Sequence, residues 1–294
     1  MTSTQQIEAL FPLVSYEEER ARNGRITLLD ETQRVLHPGV RYTKRTCLRG
    51  DGKPTALYIT LIDPGAQAHL TVSACPHGTI KHVRQHAQDH GGPVLFAMNA
   101  GFFHFFNDGD LTPYGIQVVD GMTLNEPGLP QNKVQFSSNF FCITKDGIPM
   151  IADTEAYHAH LKGNLRCAVG GSLRLIQEGC IRLHNDASVA PRSAVGITKA
   201  GKVILLGCDG RSKVSAGLSF ADLIDIFLQL DPDTTELLNL DGGGSTCVVL
   251  RDENGSYFVD NVPSGPPTPT QPAQEPYLDT QARPVADALL VIAD

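Results

Sequence analysis

A run of glycines between two oxygen-bearing side chains is the strongest chemical feature of this sequence. The run reads Asp241-Gly242-Gly243-Gly244-Ser245. Consecutive glycines let the backbone adopt positive φ and approach a ligand closely, and successive N–H groups in such a turn can bind an anion. A site for an anionic sugar derivative and a tight bend between packed strands explain the glycines about equally well. No Gly-Lys-Ser/Thr ends the run, so it is not a P-loop.

Other polar side chains lie at the ends of predicted strands. Asn99 ends the apolar run 94–99, and its amide both donates and accepts, which suits a sugar hydroxyl or a phosphate oxygen. Arg192 precedes a strand, and its guanidinium matches the oxygens of a phosphate. Asp209 and Arg211 follow a strand, where a carboxylate and a guanidinium can form the edge of a site. Taken singly, each is more simply explained by a turn or a surface ion pair.

Histidines recur every four residues on a helix predicted over 79–90. They are His82, His86 and His90, and this spacing could chelate a metal ion. No acidic or cysteine partner completes a recognisable ligand set, so we interpret them as a solvated helix face and predict neither a metal nor a cofactor. The sequence has no His-Glu-x-x-His and no Gly-x-Ser-x-Gly motif, which weakens metalloprotease and α/β-hydrolase interpretations.

Composition limits the class of protein and of partner. The 294 residues are 41% hydrophobic, enough for one large domain or two small ones. A net charge of -8 argues against nucleic acid and anionic membranes as partners. An anionic substrate would therefore need a few well-placed arginines.

The cysteine pattern and the N-terminus bear on the compartment. The seven cysteines include no Cys-x-x-Cys pair, and several lie in apolar runs, so we expect reduced core thiols. No signal-peptide pattern and no apolar run of membrane-spanning length is present. These features predict a cytoplasmic protein.

The elements that must position these residues are short strands. Turn residues bound apolar runs at 56–62, 69–73, 94–99, 115–119, 139–144, 167–171, 173–177, 193–198 and 202–207, with a last buried element over 285–293. One helix is clear, because Ser219 and Asp222 can cap residues 218–230 before Asp231-Pro232 ends them. Strands that do not alternate regularly with helices indicate an α+β fold. We expect a large twisted mixed or antiparallel sheet with a few flanking helices.

The polar N-terminal stretch and a Pro-rich stretch near the C-terminus stand out from this pattern. Residues 1–36 are interpreted as an N-terminal extension, with Ser15 and Glu18 capping a short helix. Residues 37–294 are expected to form the main domain. Within it, residues 263–283 are rich in Pro, Gln and Thr and predict a long exposed loop.

Several ordered segments together resemble the phosphodiester glycosidase family. They are AMNAGFF (97–103), PYGIQVVDG (113–121), AVGGSLRLIQEG (168–179), PRSAVGI (191–197), CDGR (208–211), SAGLSFADL (215–223), NLDGGGST (239–246) and ARPVADALLVI (282–292). NLDGGGST and PRSAVGI are specific in combination. The resemblance implies a compact α+β domain with a large sheet, and a substrate of the form sugar-1-phosphate-R, as in an N-acetylglucosamine-1-phosphodiester.

The resemblance also implies which residues line the pocket. By motif match they are Asn99, Gly101, Arg192, Asp209, Arg211, Asp241, Gly242, Gly243, Gly244 and Ser245. Chemistry then suggests their roles. Asn99 and Ser245 would orient sugar hydroxyls.

Glycoside hydrolysis normally uses two carboxyl groups that flank the anomeric carbon. A phosphomonoester leaves more readily than an alcohol, so stabilising its charge should matter more than a strong general acid. We therefore assign Arg192, Arg211 and the glycine N–H groups to the phosphate. Asp241 is the first choice as nucleophile or water-activating base, and Asp209 is the second.

Two other classes of function remain open at this point. One is a metal-dependent phosphodiesterase that cuts the P–O bond with Asp209, Asp241 and the histidines. The other is a non-catalytic sugar-phosphate binding module, which the presence of both aspartates makes less attractive. The sequence names neither the sugar, the aglycone, the anomeric outcome nor the oligomeric state.

Overall fold

The hydrophobic pattern folds into antiparallel sheets that share one core. A computed structural model describes residues 2–76, 79–105, 111–128, 136, 138–264 and 282–294. The α+β fold predicted from the sequence is confirmed, and all of the named strand pairs are antiparallel.

The largest sheet has eight strands. In spatial order they are β1 (Thr27–His37), β2 (Val40–Leu48), β3 (Pro54–Ile62), β16 (Val203–Cys208), β15 (Arg192–Thr198), β17 (Thr234–Asn239), β13 (Arg174–Gln177) and β14 (Cys180–Ile181). Apolar residues alternate across its central strands, so that Leu205 and Leu206 of β16 enter two different cores.

Two five-stranded sheets and a hairpin complete the strand structure. One sheet has the order β11 (Pro149–Asp153), β10 (Asn139–Thr144), β12 (Leu165–Gly171), β8 (Gln117–Val119) and β9 (Met122–Asn125). The other has the order β19 (Tyr257–Val259), β18 (Val248–Arg251), β5 (Val94–Asn99), β20 (Asp287–Ala293) and β4 (Ala68–Ala74). The hairpin pairs β6 (Phe103–Phe105) with β7 (Leu111–Pro113).

Short helices cover the outer faces of the sheets. They are α1 (Ser3–Leu10), α2 (Tyr16–Asn23), α3 (Val83–Asp89), α4 (Thr154–Ala156), which continues as a π-helical segment (Tyr157–Leu161), and α5 (Phe220–Leu230). Ser219 and Asp222 cap α5 reciprocally, as predicted. Within the described ranges, no helix is long and apolar enough to cross a membrane.

The main core lies between the three large sheets. Val195 and Leu238 of the eight-stranded sheet pack there with Phe96, Met98 and Phe141 of the five-stranded sheets. The opposite face of the eight-stranded sheet is covered by the apolar side of α5. Strand ends from the three sheets meet at one rim of this core, where Ser193 of β15 contacts Asn99 at the end of β5, and Gln117 of β8 contacts Asp287 at the start of β20.

The N-terminal stretch packs against the main domain. Ile7 and Tyr16 are buried in the core beneath α5. The buried guanidinium of Arg20 pairs with Asp222 and Asp225 of α5 at 3.2 and 2.9 Å. Two buried carboxylates on one helix need a cationic partner, and the N-terminal segment supplies it. β1 continues this segment into the eight-stranded sheet.

The histidine pattern is corrected by the structure. His86 is fully buried rather than solvated, and its Nδ1 lies 2.9 Å from the Ser73 hydroxyl. Burial holds its pKa at about 4, so the ring is neutral near pH 7. No group of three or more His, Cys, Asp or Glu suited to a metal ion occurs among the described residues.

Two other expectations concerned the cysteines and the Pro-rich loop. The seven cysteines form no disulfide, and only Cys180 is exposed, in agreement with reduced core thiols. Of the predicted Pro-rich loop, residues 265–281 lie outside the described residues.

Candidate active site

The glycine turn closes against the start of β15. The N–H of Gly243 donates to the carbonyl of Pro191 at 2.8 Å, and Gly243 has a φ of 60°. A Cβ at Gly242 would lie 2.5 Å from the same Pro191 oxygen. The turn is thus a tight bend that only glycine fits, and the bend brings Asp241 beside the Pro191-Arg192 segment.

Asn99 joins the segments that meet at this turn. Its side-chain amide donates to the carbonyl of Asp241 at 2.5 Å. Its Oδ1 accepts from the Ser193 hydroxyl at 2.8 Å and from the N–H of Cys247 at 3.1 Å. The side chain is fully buried, so these contacts make it a clamp between β5, β15 and the glycine turn. A direct contact with a sugar stays a prediction.

Asp241 carries the most unusual carboxyl group of the site. Its backbone N–H donates to the carbonyl of Ala100 at 2.9 Å, and the residue as a whole is half-buried. The carboxyl group itself is surrounded by protein. This burial, with the negative charge of Asp287, raises its pKa to about 7 against the opposing effects of Ser245 and Arg283. The group can therefore gain or lose a proton near neutral pH.

Asp287 is a second perturbed carboxyl that sequence reasoning missed. It begins β20 and accepts from the N–H of Gly101 at 2.6 Å and from the Gln117 amide at 2.5 Å. Burial raises its pKa to about 6, partly offset by these two donors. A Cβ at Gly101 would lie 2.9 Å from Asp287 Oδ2, so Gly101 is needed for this contact. The sequence did contain a signal for this residue, because Asp287 is the one acidic residue at the start of an otherwise apolar strand.

Arg192 is a buried guanidinium without an acidic partner. Its Nε donates to the carbonyl of Leu218 at 3.1 Å, and its Nη2 donates to the backbone and hydroxyl oxygens of Ser188, both at 2.9 Å. It stacks 4.2 Å over the ring of Phe220. No carboxylate oxygen of a described residue lies within 4.0 Å, and burial and the charge of Arg211 lower its pKa.

Arg211 and Arg283 add two more cations. Arg211 is exposed, and its Nη2 lies 3.1 Å from where a Cβ on Gly243 would be, so the guanidinium covers the glycine turn. Among the described residues it has no salt bridge. Arg283, which sequence reasoning missed, donates its N–H to the carbonyl of Gly244 at 3.3 Å and favours the ionised form of Asp241.

Asp209 lies in a different hydrogen-bond cluster from Asp241. Its carboxylate accepts from the Tyr58 hydroxyl at 2.8 Å, from the Asn261 amide at 2.8 Å, and from the N–H of Val262 at 3.0 Å. The residue is 5% exposed. Burial and the charge of Asp260 raise its pKa, and these donors oppose the rise. Because its oxygens are occupied by protein, the geometry favours a positioning role over the catalytic role considered from the sequence.

Two buried hydroxyl groups at the end of the turn lack hydrogen-bond partners. These are Ser245 Oγ and Thr246 Oγ1, for which no described residue supplies a bond. Ser245 lies close enough to Asp241 to lower the pKa of that carboxyl, yet it does not reach hydrogen-bond geometry. An unsatisfied buried hydroxyl is costly.

Comparison with known proteins identifies the family of the chain. The family model for phosphodiester glycosidases matches residues 93–292. The chain belongs to the phosphodiester glycosidase family. The matched range contains every pocket residue expected from the sequence, and it also includes Arg283 and Asp287. No curated protein matches the chain.

Solved structures similar to this phosphodiester glycosidase share its fold. The catalytic domain of zebrafish N-acetylglucosamine-1-phosphodiester alpha-N-acetylglucosaminidase, auto-inhibited by its pro-peptide, is 21% identical with a TM-score of 0.64, over 90% of this chain and 89% of that one. A hypothetical protein from Synechocystis is 16% identical with a TM-score of 0.58, over 87% and 62% of the chains. A putative exported protein from Burkholderia pseudomallei is 13% identical with a TM-score of 0.56, over 90% and 97%.

The structure places the predicted residues in different surroundings. Asp241, the three glycines and Ser245 form one turn, and the Arg211 guanidinium lies against Gly243. Asn99 and Asp209 are engaged by protein groups. Arg192 lies on the α5 side of β15, because neighbouring residues of a strand face opposite sides, and it is Ser193 that contacts Asn99.

Proposed function

We propose that this phosphodiester glycosidase hydrolyses the C–O bond between an anomeric carbon and the bridging phosphate of a sugar-1-phosphodiester, of the N-acetylglucosamine-1-phosphodiester type. The observation that carries the proposal is a single arrangement. The Asp241 carboxyl, with a pKa of about 7, adjoins a glycine turn covered by the guanidinium of Arg211, which has no salt bridge with another described residue. A carboxyl suits attack at carbon, and the cation and turn suit a departing phosphate.

Because a phosphomonoester is a good leaving group, the reaction needs few catalytic groups. The oxygen of water ends on the anomeric carbon, the bond from that carbon to the bridging oxygen breaks, and the phosphomonoester departs with that oxygen and its electron pair. Ionised Asp241 either removes a proton from the water or first attacks the carbon itself. The first route inverts the anomeric configuration, and the second retains it.

The charge on the leaving group rises during this step, from one negative charge on the diester towards two on the monoester. Arg192 is bonded to Ser188 and Leu218 on the α5 side of β15, so we assign that charge to Arg211, which has no salt bridge with another described residue and covers the glycine turn. Preorganised donors of this kind stabilise the transition state more than the ground state. Ser245 and Thr246 supply hydroxyls for the sugar or the phosphate.

Oxygen-18 water tests the proposed bond cleavage. The enzyme is incubated with a panel of sugar-1-phosphodiesters, including an N-acetylglucosamine one, and the products are analysed by mass spectrometry. We expect an unlabelled phosphomonoester. This product reports the cleaved bond more reliably than the free sugar does, because the anomeric oxygen of a free sugar slowly exchanges with water. Label in the phosphate product would mean P–O cleavage and would overturn the proposal. An Asp241→Asn preparation controls for contaminating phosphatases.

Replacing Arg211 tests the assignment of the phosphate. We expect Arg211→Ala to lower kcat/KM by roughly 10- to 100-fold, because a charge-assisted hydrogen bond contributes about 1.5–3 kcal/mol. Inhibition by the phosphomonoester product should weaken in parallel. Lys213→Ala removes an exposed cation two residues away and is the matched control. Equal kinetics for the two variants would place the phosphate elsewhere.

The pH dependence of kcat/KM tests the state of Asp241. If it acts ionised, kcat/KM should rise with pH through about 7, the pKa of this carboxyl. Asp287 loses its proton first, near pH 6, so its negative charge is already present and opposes ionisation of Asp241.

Asp287→Asn should therefore move the rise in kcat/KM to lower pH. Gln117 can rotate its amide to accept from the new Asn, so this variant should stay folded. A kcat/KM that falls through pH 7 would contradict the base or nucleophile role, because it would require protonated Asp241.

A further inference from the structure

The long edge of the eight-stranded sheet is unpartnered. β1 has eleven residues and pairs with β2 on one side only, with no other described strand on its outer edge. Its side chains are largely exposed, including Leu29 at 57% and Val35 at 68%. A free edge offers a row of backbone donors and acceptors to another strand. The other end of this sheet, β14, has only two residues.

The regular part of β1 is short and well defined. The pairing with β2 shifts register between Leu28 and Asp30 and again between Val35 and His37. Such bulges interrupt an edge, but the six residues from Asp30 to Val35 between them pair regularly. Any strand that adds to β1 must therefore pair with this run.

A second copy of the chain fits this run in one register. Two copies related by a two-fold axis must run antiparallel, and side chains that face each other across the axis must lie on the same face of the sheet. The axis must then pass through a residue that faces its own copy. If the axis passed through Glu31, the two Glu31 carboxylates would face each other. If it passed through Gln33, the charged Glu31 would face the apolar Val35.

Centred on Thr32, all of the facing side chains are compatible. Within the regular run, Asp30 faces Arg34 of the second chain and Glu31 faces its Gln33, each twice by symmetry. Asp30 has no ion pair with another described residue, and the Arg34 side chain donates from Nη2 to the carbonyl of Arg251 at 2.9 Å. Charges often protect an edge strand from association, but these two neutralise each other in a dimer.

We propose that the chain forms a two-fold dimer through β1, with two strands paired antiparallel about Thr32 and the eight-stranded sheets continuous across the interface. The dimer joins the sheets at the edge formed by the N-terminal segment and does not use the glycine turn. The inference is independent of the proposed glycosidase reaction.

Charge reversal and its rescue test the dimer. Sedimentation velocity over about 1 to 300 μM protein should show a concentration-dependent dimer, since small interfaces associate weakly. Asp30→Arg or Arg34→Asp alone places like charges opposite each other and should raise Kd by roughly tenfold or more. The double variant Asp30→Arg/Arg34→Asp restores the attraction and should return Kd to near that of the wild type.

Lys199→Asp reverses an exposed charge in the turn after β15 and is the control that should leave Kd unchanged. These sites are exposed, so circular dichroism should show every variant folded. A monomer at all concentrations would overturn the proposal. The proposal would also be overturned if the single reversals left Kd unchanged, or if the double variant did not restore the wild-type Kd. In either case the interface would lie elsewhere.

Discussion

Asp241→Asn should lower kcat/KM for a sugar-1-phosphodiester by about 10³-fold, within the range expected for loss of a group that attacks or moves a proton. The amide is nearly the same size as the carboxyl but can neither attack carbon nor accept a proton from water. Steady-state kinetics on the same diester used in the oxygen-18 experiment measures the effect.

The fold should survive this substitution. Asp241 is held by its backbone, through the N–H that donates to Ala100 and the carbonyl that accepts from Asn99. Surroundings that raise the pKa of a carboxyl disfavour its charge, so a neutral amide should not reduce the free energy of unfolding at pH 8. A folded Asp241→Asn variant with wild-type turnover would eliminate this residue from the chemistry.

Asp209→Asn should lower the stability of the protein rather than its activity. The carboxylate of Asp209 accepts from Tyr58, Asn261 and Val262 in a buried site. An Asn side chain has one acceptor oxygen, and its NH₂ group would face donors. A buried donor that loses its partner costs about 1–3 kcal/mol. We expect the free energy of unfolding to fall by roughly 2–4 kcal/mol and Tm by roughly 5–10 °C.

The contrast between the two variants is the decisive comparison. At temperatures well below Tm, Asp209→Asn should retain most of its kcat/KM, whereas Asp241→Asn should retain its Tm and lose its activity. Asp146→Asn is the stability control, because Asp146 is exposed in a turn before Gly147 that Asn-Gly fits equally well. An Asp209→Asn enzyme with normal Tm and no turnover would return Asp209 to the chemistry.

Elements with a strong local signal were predictable from the sequence. β5 and β10 have the predicted limits, Val94–Asn99 and Asn139–Thr144, because both are buried apolar runs bounded by turn residues. Ser219 begins α5 as predicted, because its cap is formed by residues three positions apart. The α+β class follows from the order of such elements.

Elements stabilised by distant partners were not predictable. β1 has no apolar alternation, since its side chains are largely exposed, and it is a strand because β2 pairs with it. The N-terminal segment looked like an extension, yet Arg20 joins the domain through carboxylates 202 and 205 residues away. Pairings of this kind depend on the chain path and leave little trace in local composition.

Some features of the candidate site were predictable from the sequence, and others were not. The sequence by itself determined that the turn after Asp241 needs glycine, because φ is positive at Gly243 and the backbone approaches closely at Gly242. The grouping of Asp241, these glycines and Arg211 in one site is a prediction from the resemblance to the family. Only the tertiary structure decided which carboxyl groups have raised pKa values, that Asp287 lies behind Gly101 from 186 residues away, and that Arg192 points to the α5 side. Burial and charge spacing set these properties, and both arise only when β5, β15, β17 and β20 meet at one rim.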